Sequence, residues 1–182
     1  MDHDLDPEQF LEKVTAAACE DLFGRYGVAV RRADETDEPL SPEFFLCSVI
    51  GFSGRDLRGT LVLALTEELS GVSNPISTPE AGQTAGPEIQ RDWVGELSNQ
   101  LLGQVKLDLL RYGLEIYMNL PAVLRGQHLA PLPRARLKPL KFTVANGTAA
   151  VWVEIEARAG LKIKAAACSE PGPGPGDALL FD

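Results

Sequence analysis

Pro87 to Gly113 reads PEIQRDWVGELSNQLLGQVKLDLLRYG, and this stretch decides the fold. Pro87 suits a first helical position and Gly113 a stop, so the pattern predicts a helix from about Pro87 to Tyr112. At about 100° per residue, Val94, Leu97, Leu101, Leu102, Val105, Leu109 and Tyr112 fall within an arc of roughly 140°. Asp108 intrudes on one edge of this stripe. The opposite face holds Asp92, Glu96, Asn99, Gly103 and Lys106, which stack within about 60° apart from Lys106 at the margin. Gly95 and Gly103 read as lying on that same side. A helical glycine costs roughly 1 kcal/mol against alanine. A face shaped for close approach by another molecule explains the two glycines, leaving Glu96 and Asn99 standing clear. So does a neighbouring helix packed on them, with Glu96 and Asn99 merely solvated. The wheel alone leaves both open.

Working outward, a first helix starts at Asp6. Asp6 is a good N-cap, Pro7 fits the first turn, and Gln9 completes a start like a capping box. Phe10, Val14, Ala17, Ala18 and Leu22 recur at helical spacing until Gly24 and Gly27 close the segment. Val28 to Val30 reads as a short strand and Arg31 to Ser41 as a loop. Phe44–Phe52 and Arg58–Thr66 flank Ser53-Gly54-Arg55-Asp56 and read as a hairpin. Gly59 to Leu65 is apolar on both faces, which predicts a central strand. Glu67 to Gly86 is rich in Ser, Thr, Pro and Gly and reads mostly as loop, part of it a short helix. Leu114 to about Leu120 reads as a strand, followed by Pro121 to Gly126 and a Pro-broken connector to Pro139. Leu140–Val144 and Ala149–Ala157 flank Asn146-Gly147, a strong hairpin signal. Val151, Val153 and Ile155 alternate with Trp152, Glu154 and Glu156, which predicts one buried and one wetter face.

Composition sets the outer limits. The chain has 182 residues, 17 basic and 26 acidic, for a formal charge of −9. That length suits one domain with tails, and the acidic balance argues against nucleic acid as the main partner. Cys19, Cys47 and Cys168 are widely spaced, with no CxxC or Cys/His cluster. They read as reduced thiols of a cytoplasmic protein, not as a zinc site. The N-terminus lacks the apolar core of a signal peptide, and the apolar run Phe44 to Phe52 is too short to cross a bilayer. No membrane role is expected.

Asp92-x-x-x-Glu96-x-x-Asn99 sits within Gly95-Glu96-Leu97-Ser98-Asn99-Gln100-Leu101-Leu102-Gly103-Gln104-Val105-Lys106. This resembles the active-site helix of the CheX/CheC/FliY family of chemotaxis phosphatases. Val49-Ile50-Gly51-Phe52-Ser53-Gly54 and Gly59 to Thr66 look like the hairpin before that helix in CheX. Leu120-Pro121-Ala122-Val123-Leu124-Arg125-Gly126 looks like the segment after it. The match covers roughly Phe10 to Ala157, with a single motif as in CheX. The resemblance implies an α+β, CheC-like fold: a mostly antiparallel sheet packed against two long helices in a three-layer arrangement. It places a phosphatase domain at residues 1–168; the Pro/Gly repeat from Pro171 to Gly176 reads by its composition as a disordered spacer, which sets 169–182 apart as this chain's own tail.

The implied activity is hydrolysis of the aspartyl phosphate on a CheY-like response regulator. Asn99 is expected to orient the attacking water and Glu96 to pair with the regulator's active-site lysine. Asp92, Gly95, Gly103 and Lys106 are expected at the partner contact. The resemblance implies no cofactor or metal site in this chain, since the regulator brings its own Mg²⁺, and it implies a homodimer. Leu107 and Leu110 add apolar groups near the end of the face that the motif does not account for. The alternative is a binding module that docks a regulator or flagellar switch component without hydrolysis.

Other residues carry little chemistry. Gly51-Phe52-Ser53-Gly54 fails the GxSxG spacing, so Ser53 reads as a turn residue. His128 has no acid partner near it in sequence. Arg134, Arg136, Lys138 and Lys141 form a short basic run that reads as solvated. The tail ends in Asp177-Ala178-Leu179-Leu180-Phe181-Asp182. It reads either as an unstructured end or as a tether resembling the short acidic-apolar peptides that hold CheY, which would raise the regulator's effective concentration.

Overall fold

The computed structural model describes residues 4–26, 30–32, 44–72, 86–129, 139–144 and 147–164. In chain order the elements are β1 (Asp4–Leu5), α1 (Pro7–Arg25), β2 (Val30–Arg32), β3 (Phe44–Gly54), β4 (Leu57–Thr66), α2 (Glu67–Val72), α3 (Pro87–Leu110), β5 (Ile116–Met118), β6 (Ala122–Leu129), β7 (Leu140–Val144), β8 (Gly147–Ala157) and β9 (Ile163–Lys164). The tail from Ser169, Cys168, Asn146, most of the loop before Pro87 and the basic residues Arg134, Arg136 and Lys138 lie outside the described residues.

The main sheet runs β2-β7-β8-β4-β3-β5, with β6 also paired to β3. Every strand pair in it is antiparallel. β4 is central, as its two apolar faces predict. Its long pairing with β8 needs Gly59. A Cβ there would lie 2.1 Å from the Glu154 carbonyl oxygen and 2.7 Å from the Phe52 ring.

One face of the sheet carries the core. Leu46, Ile50, Leu61, Leu63, Leu65 and Val151 join a single apolar cluster with Leu11, Cys19, Leu22 and Phe23 of α1 and Val94, Leu97, Leu101 and Leu102 of α3. Both long helices therefore cover the same face. Among the described residues they form two layers with the sheet, where three were expected. Among the described residues the other face holds a smaller cluster of Phe44, Cys47, Ala64, Ala150 and Trp152, with Val49, Val62 and Leu129 partly buried against it. Trp152 was expected on the wetter side; it is buried there by its edge-to-face contact with Phe44, ring centroids 5.9 Å apart.

Asp6 caps α1 as expected, its carboxylate accepting from the Gln9 N–H at 3.2 Å. Ala17 is exposed rather than buried, because Thr15, Ala16, Ala18 and Cys19 take the inward positions. Arg31 and Arg32, expected in a loop, pair with Thr143 and Phe142 in β2. The strand expected at Leu114–Leu120 shortens to β5.

β6 and the short pair β1–β9 were not anticipated. β5 and β6 lie end to end along β3. Met118 pairs with Phe52 and Ala122 with Val49. One extra residue is thus extruded at Asn119–Pro121, a bulge that leaves Leu120 91% exposed and directs Pro121 toward α3.

Candidate functional site

The candidate site is the outward face of α3. Pro87 opens the helix. The chain leaves it through Gly113, whose φ of +75° is a left-handed conformation that favours glycine. Trp93, Val94, Leu97, Leu101, Leu102, Val105 and Leu109 bury the opposite face. That burial fixes the rotation of the helix and turns Glu96 and Asn99 outward, Glu96 exposed and Asn99 half-buried.

A buried polar contact adds to this fixing. Ser48 Oγ of β3 and Ser98 Oγ of α3 lie 2.6 Å apart, both residues fully buried. Ser98 Oγ donates to the Gly95 carbonyl oxygen at 2.9 Å. With its one proton committed there, Ser98 accepts from Ser48. Ser98→Ala strands the Ser48 hydroxyl, while Ser48→Ala leaves Ser98 with its carbonyl bond. Ser98→Ala should therefore cost about 2 kcal/mol and Ser48→Ala about 1 kcal/mol. The double variant should cost less than the two added together, read by urea unfolding.

The two glycines separate. Gly103 is half-exposed on the open face, with nothing near a would-be Cβ. Gly95 is buried, contrary to its expected place on the partner face. A Cβ there would meet Val123 at 3.5 Å and Pro121 at 3.7 Å. The physical reason is the bulge before β6, which brings Pro121 and Val123 against the flank of α3. Gly95 thus admits a strand, not the partner and not a helix.

The polar groups of the face are differently engaged. Asp92 holds Arg91, with Oδ1 accepting from Nε at 3.0 Å and from a terminal guanidinium nitrogen at 2.9 Å. Glu96 Oε1 accepts from Gln100 Nε2 at 2.9 Å. Asn99 makes no side-chain hydrogen bond to another described residue. Lys106 turns toward β5, its Nζ 5.9 Å from the centre of the Tyr117 ring, near the outer limit for a cation–π contact. Tyr117 donates to Glu115 Oε1 at 3.1 Å. That bond and the carboxylate's charge raise the phenol above its ordinary range.

Apolar groups frame the polar stripe. Ile89, Leu107 and Leu110 of α3 and Tyr117 of β5 are all exposed large hydrophobics. Sequence reasoning singled out Leu107 and Leu110 but missed Gln100, Ser98, Tyr26 and Tyr117. The Glu96–Gln100 spacing of four and a serine inside the apolar arc were the available signals.

Neither described cysteine, Cys19 or Cys47, is placed to act as a nucleophile, since both are buried. Burial pushes the Cys47 thiol up to about 11 and the Cys19 thiol further still. Among the described residues no three His, Cys, Asp or Glu side chains gather as metal ligands, and no helix is long and apolar enough to cross a membrane. The face thus presents the Asn99 carboxamide, unengaged by other described residues, beside the oriented Glu96 carboxylate. That equipment can position a water and pair with a cation.

The fold has solved relatives. A chemotaxis protein CheX from Vibrio vulnificus superposes with a TM-score of 0.65 at 18% identity, over 80% of this chain and 96% of that one. A CheC-like superfamily protein from Shewanella sp. PV-4 gives 0.65 at 18% identity, over 84% and 100%. A CheX–CheY–BeF₃–Mg²⁺ complex from Borrelia burgdorferi contributes a chain matching with 0.57 at 11% identity, over 82% and 97%. At these identities the likeness is one of fold: an antiparallel sheet with helices, the CheC-like α+β arrangement expected from the sequence. No curated protein matches the chain. The family description "Chemotaxis phosphatase CheX" matches residues 46–144, a span from β3 to β7 that contains all of α3. With more than half of its length under that match, the chain belongs to the CheX family of chemotaxis phosphatases.

Proposed function

We propose that this protein hydrolyses the aspartyl phosphate of a CheY-like response regulator. The observation that carries this reading is the presentation of Asn99 beside Glu96 on the outward face of α3, its carboxamide unengaged by other described residues. An acyl phosphate is already activated, so the reaction needs positioning more than a nucleophile. The Asn99 Oδ1 accepts from the water and its Nδ2 can donate to the water or to a phosphoryl oxygen. Being neutral, it adds no charge to repel the phosphoryl group. The water oxygen bonds to phosphorus as the bond to the acyl oxygen breaks. The regulator's aspartate is regenerated and inorganic phosphate leaves.

Glu96 pairs with the regulator's active-site lysine and sets the docking register. The Mg²⁺ belongs to the regulator; the Borrelia complex includes CheY, BeF₃ and Mg²⁺. Asp92, Gly103 and Lys106 border the contact, and Gly95 supports it from beneath. The protein works in the cytoplasm, where its substrate is. It does so as a homodimer, for which β6 offers an outer edge with no strand paired to it among the described residues.

Docking covers the apolar frame. Leu107 is 56% and Leu110 54% exposed, and burying part of each stabilises the complex. Leu107→Ser with Leu110→Ser should raise KM about 10-fold while kcat changes by less than about twofold. Steady-state release of phosphate from phosphorylated regulator reads both. The function itself is tested by adding the protein to phosphorylated CheY-like regulators and following acid-labile phosphate. Hydrolysis faster than the regulator's own rate supports the reading. Binding without acceleration would make the protein a docking module.

A further inference from the structure

The Glu96 carboxylate is not left to wander on the surface. Gln100, one turn on, donates from Nε2 to Glu96 Oε1 at 2.9 Å, and its own Oε1 accepts from the Tyr26 hydroxyl at 2.8 Å. This orientation of the amide is the only one that works. Flipped, Gln100 would set its oxygen against the carboxylate, two acceptors with no proton between them. Tyr26 is the C-cap of α1, its backbone N–H bonded to the Phe23 carbonyl oxygen at 3.1 Å. Its ring meets buried Trp93 edge to face, centroids 4.9 Å apart and planes at 84°. The relay thus runs from the α3 core through Trp93, Tyr26 and Gln100 to the acid. The neighbouring Arg25 reaches Gln104 at 3.4 Å, a second tie between the end of α1 and this side of α3.

We propose that Gln100 and Tyr26 are positioning residues that hold the Glu96 carboxylate oriented for docking, so that the C-terminal end of α1 controls how the α3 face receives its partner. This rests on the docking role proposed above for Glu96. The chemistry of the relay suits the task. Gln100 is neutral, so it fixes the carboxylate without competing as a counter-ion for an incoming cation. It engages Oε1 and leaves Oε2 open to the partner. A carboxylate already held loses less conformational freedom on binding. The consequence appears in affinity and not in the positioning of water, which belongs to Asn99.

Two readouts test this. In the free protein, the Gln100 side-chain amide resonances should shift in both Glu96→Ala and Tyr26→Phe. Unchanged resonances in both would show that the relay does not exist, whatever becomes of the phosphatase reading. In binding to a CheY-like regulator loaded with beryllofluoride and Mg²⁺, Gln100→Ala and Tyr26→Phe should each raise Kd about 2- to 10-fold. Gln100→Glu should raise it further, because a second carboxylate at that spacing repels the first. In a Glu96→Ala background the Gln100→Ala effect should vanish. An equal loss in both backgrounds would show that Gln100 acts otherwise than through Glu96 and would overturn the proposal. Loss of acid-labile phosphate caused by the unmodified protein tests the phosphatase reading separately.

Discussion

Asn99→Ala should lower kcat for regulator dephosphorylation by about 10²- to 10³-fold, the usual cost of removing one well-placed neutral group from a transition state. KM should stay within about twofold, because the carboxamide contributes to the reacting geometry more than to docking. Asn99 lies on a helix whose opposite face is buried, so truncation to alanine disturbs no core packing. Alanine also suits a helix better than asparagine, so the melting temperature should hold or rise. Asn99→Asp sharpens the test. It keeps the size and one oxygen acceptor but loses the donor and brings a negative charge to the phosphoryl group. It should be as inactive as alanine, or more so. Full activity in either variant would remove Asn99 from the mechanism.

Glu96 should fail differently. Glu96→Ala should raise KM by about 10- to 100-fold, as for truncating one member of a charge pair at an interface. Glu96→Lys should be worse, since it sets like charges together, and should prevent saturation at accessible regulator concentrations. The pairing also predicts that kcat/KM for the unmodified protein falls as salt rises, and that this dependence is weaker in Glu96→Ala. A kcat loss in Glu96→Ala matching that of Asn99→Ala, with KM unchanged, would mean that Glu96 acts on the chemistry and not on docking.

Much of this arrangement was legible in the chain, for identifiable reasons. α3 announces itself because its apolar residues keep one helical stripe from Val94 to Leu109, and that stripe turns Glu96 and Asn99 outward. β3, β4, β7 and β8 are legible because they are apolar and because each pair is joined at turn residues, Ser53 to Asp56 for the first and Asn146-Gly147 for the second. β6 was not. Its residues Ala122, Leu124, Arg125, Gln127 and His128 are exposed and show no alternation. It is a strand because β3 has a free edge to offer, a fact held more than seventy residues earlier in the sequence, as in the pairing of Val49 with Ala122.

Gly95 was misplaced for the same reason. The wheel puts it near the border of the polar stripe, and only the bulge at Asn119–Pro121 decides that the border is covered there. The relay to Glu96 is half local and half not. Gln100 could have been paired with Glu96 by spacing, whereas Tyr26 arrives from another helix. Sequence periodicity sees what a helix presents. It does not see which distant segment fills the last part of its flank.

The most direct measurement is the decay of acid-labile phosphate on a phosphorylated CheY-like regulator, from the organism that encodes this chain, with and without catalytic amounts of the protein. The account predicts multiple turnovers, decay well above the regulator's own rate, and loss of that acceleration in Asn99→Ala while binding to the beryllofluoride-loaded regulator persists. Tight binding with no acceleration, or acceleration undiminished in Asn99→Ala, would contradict it.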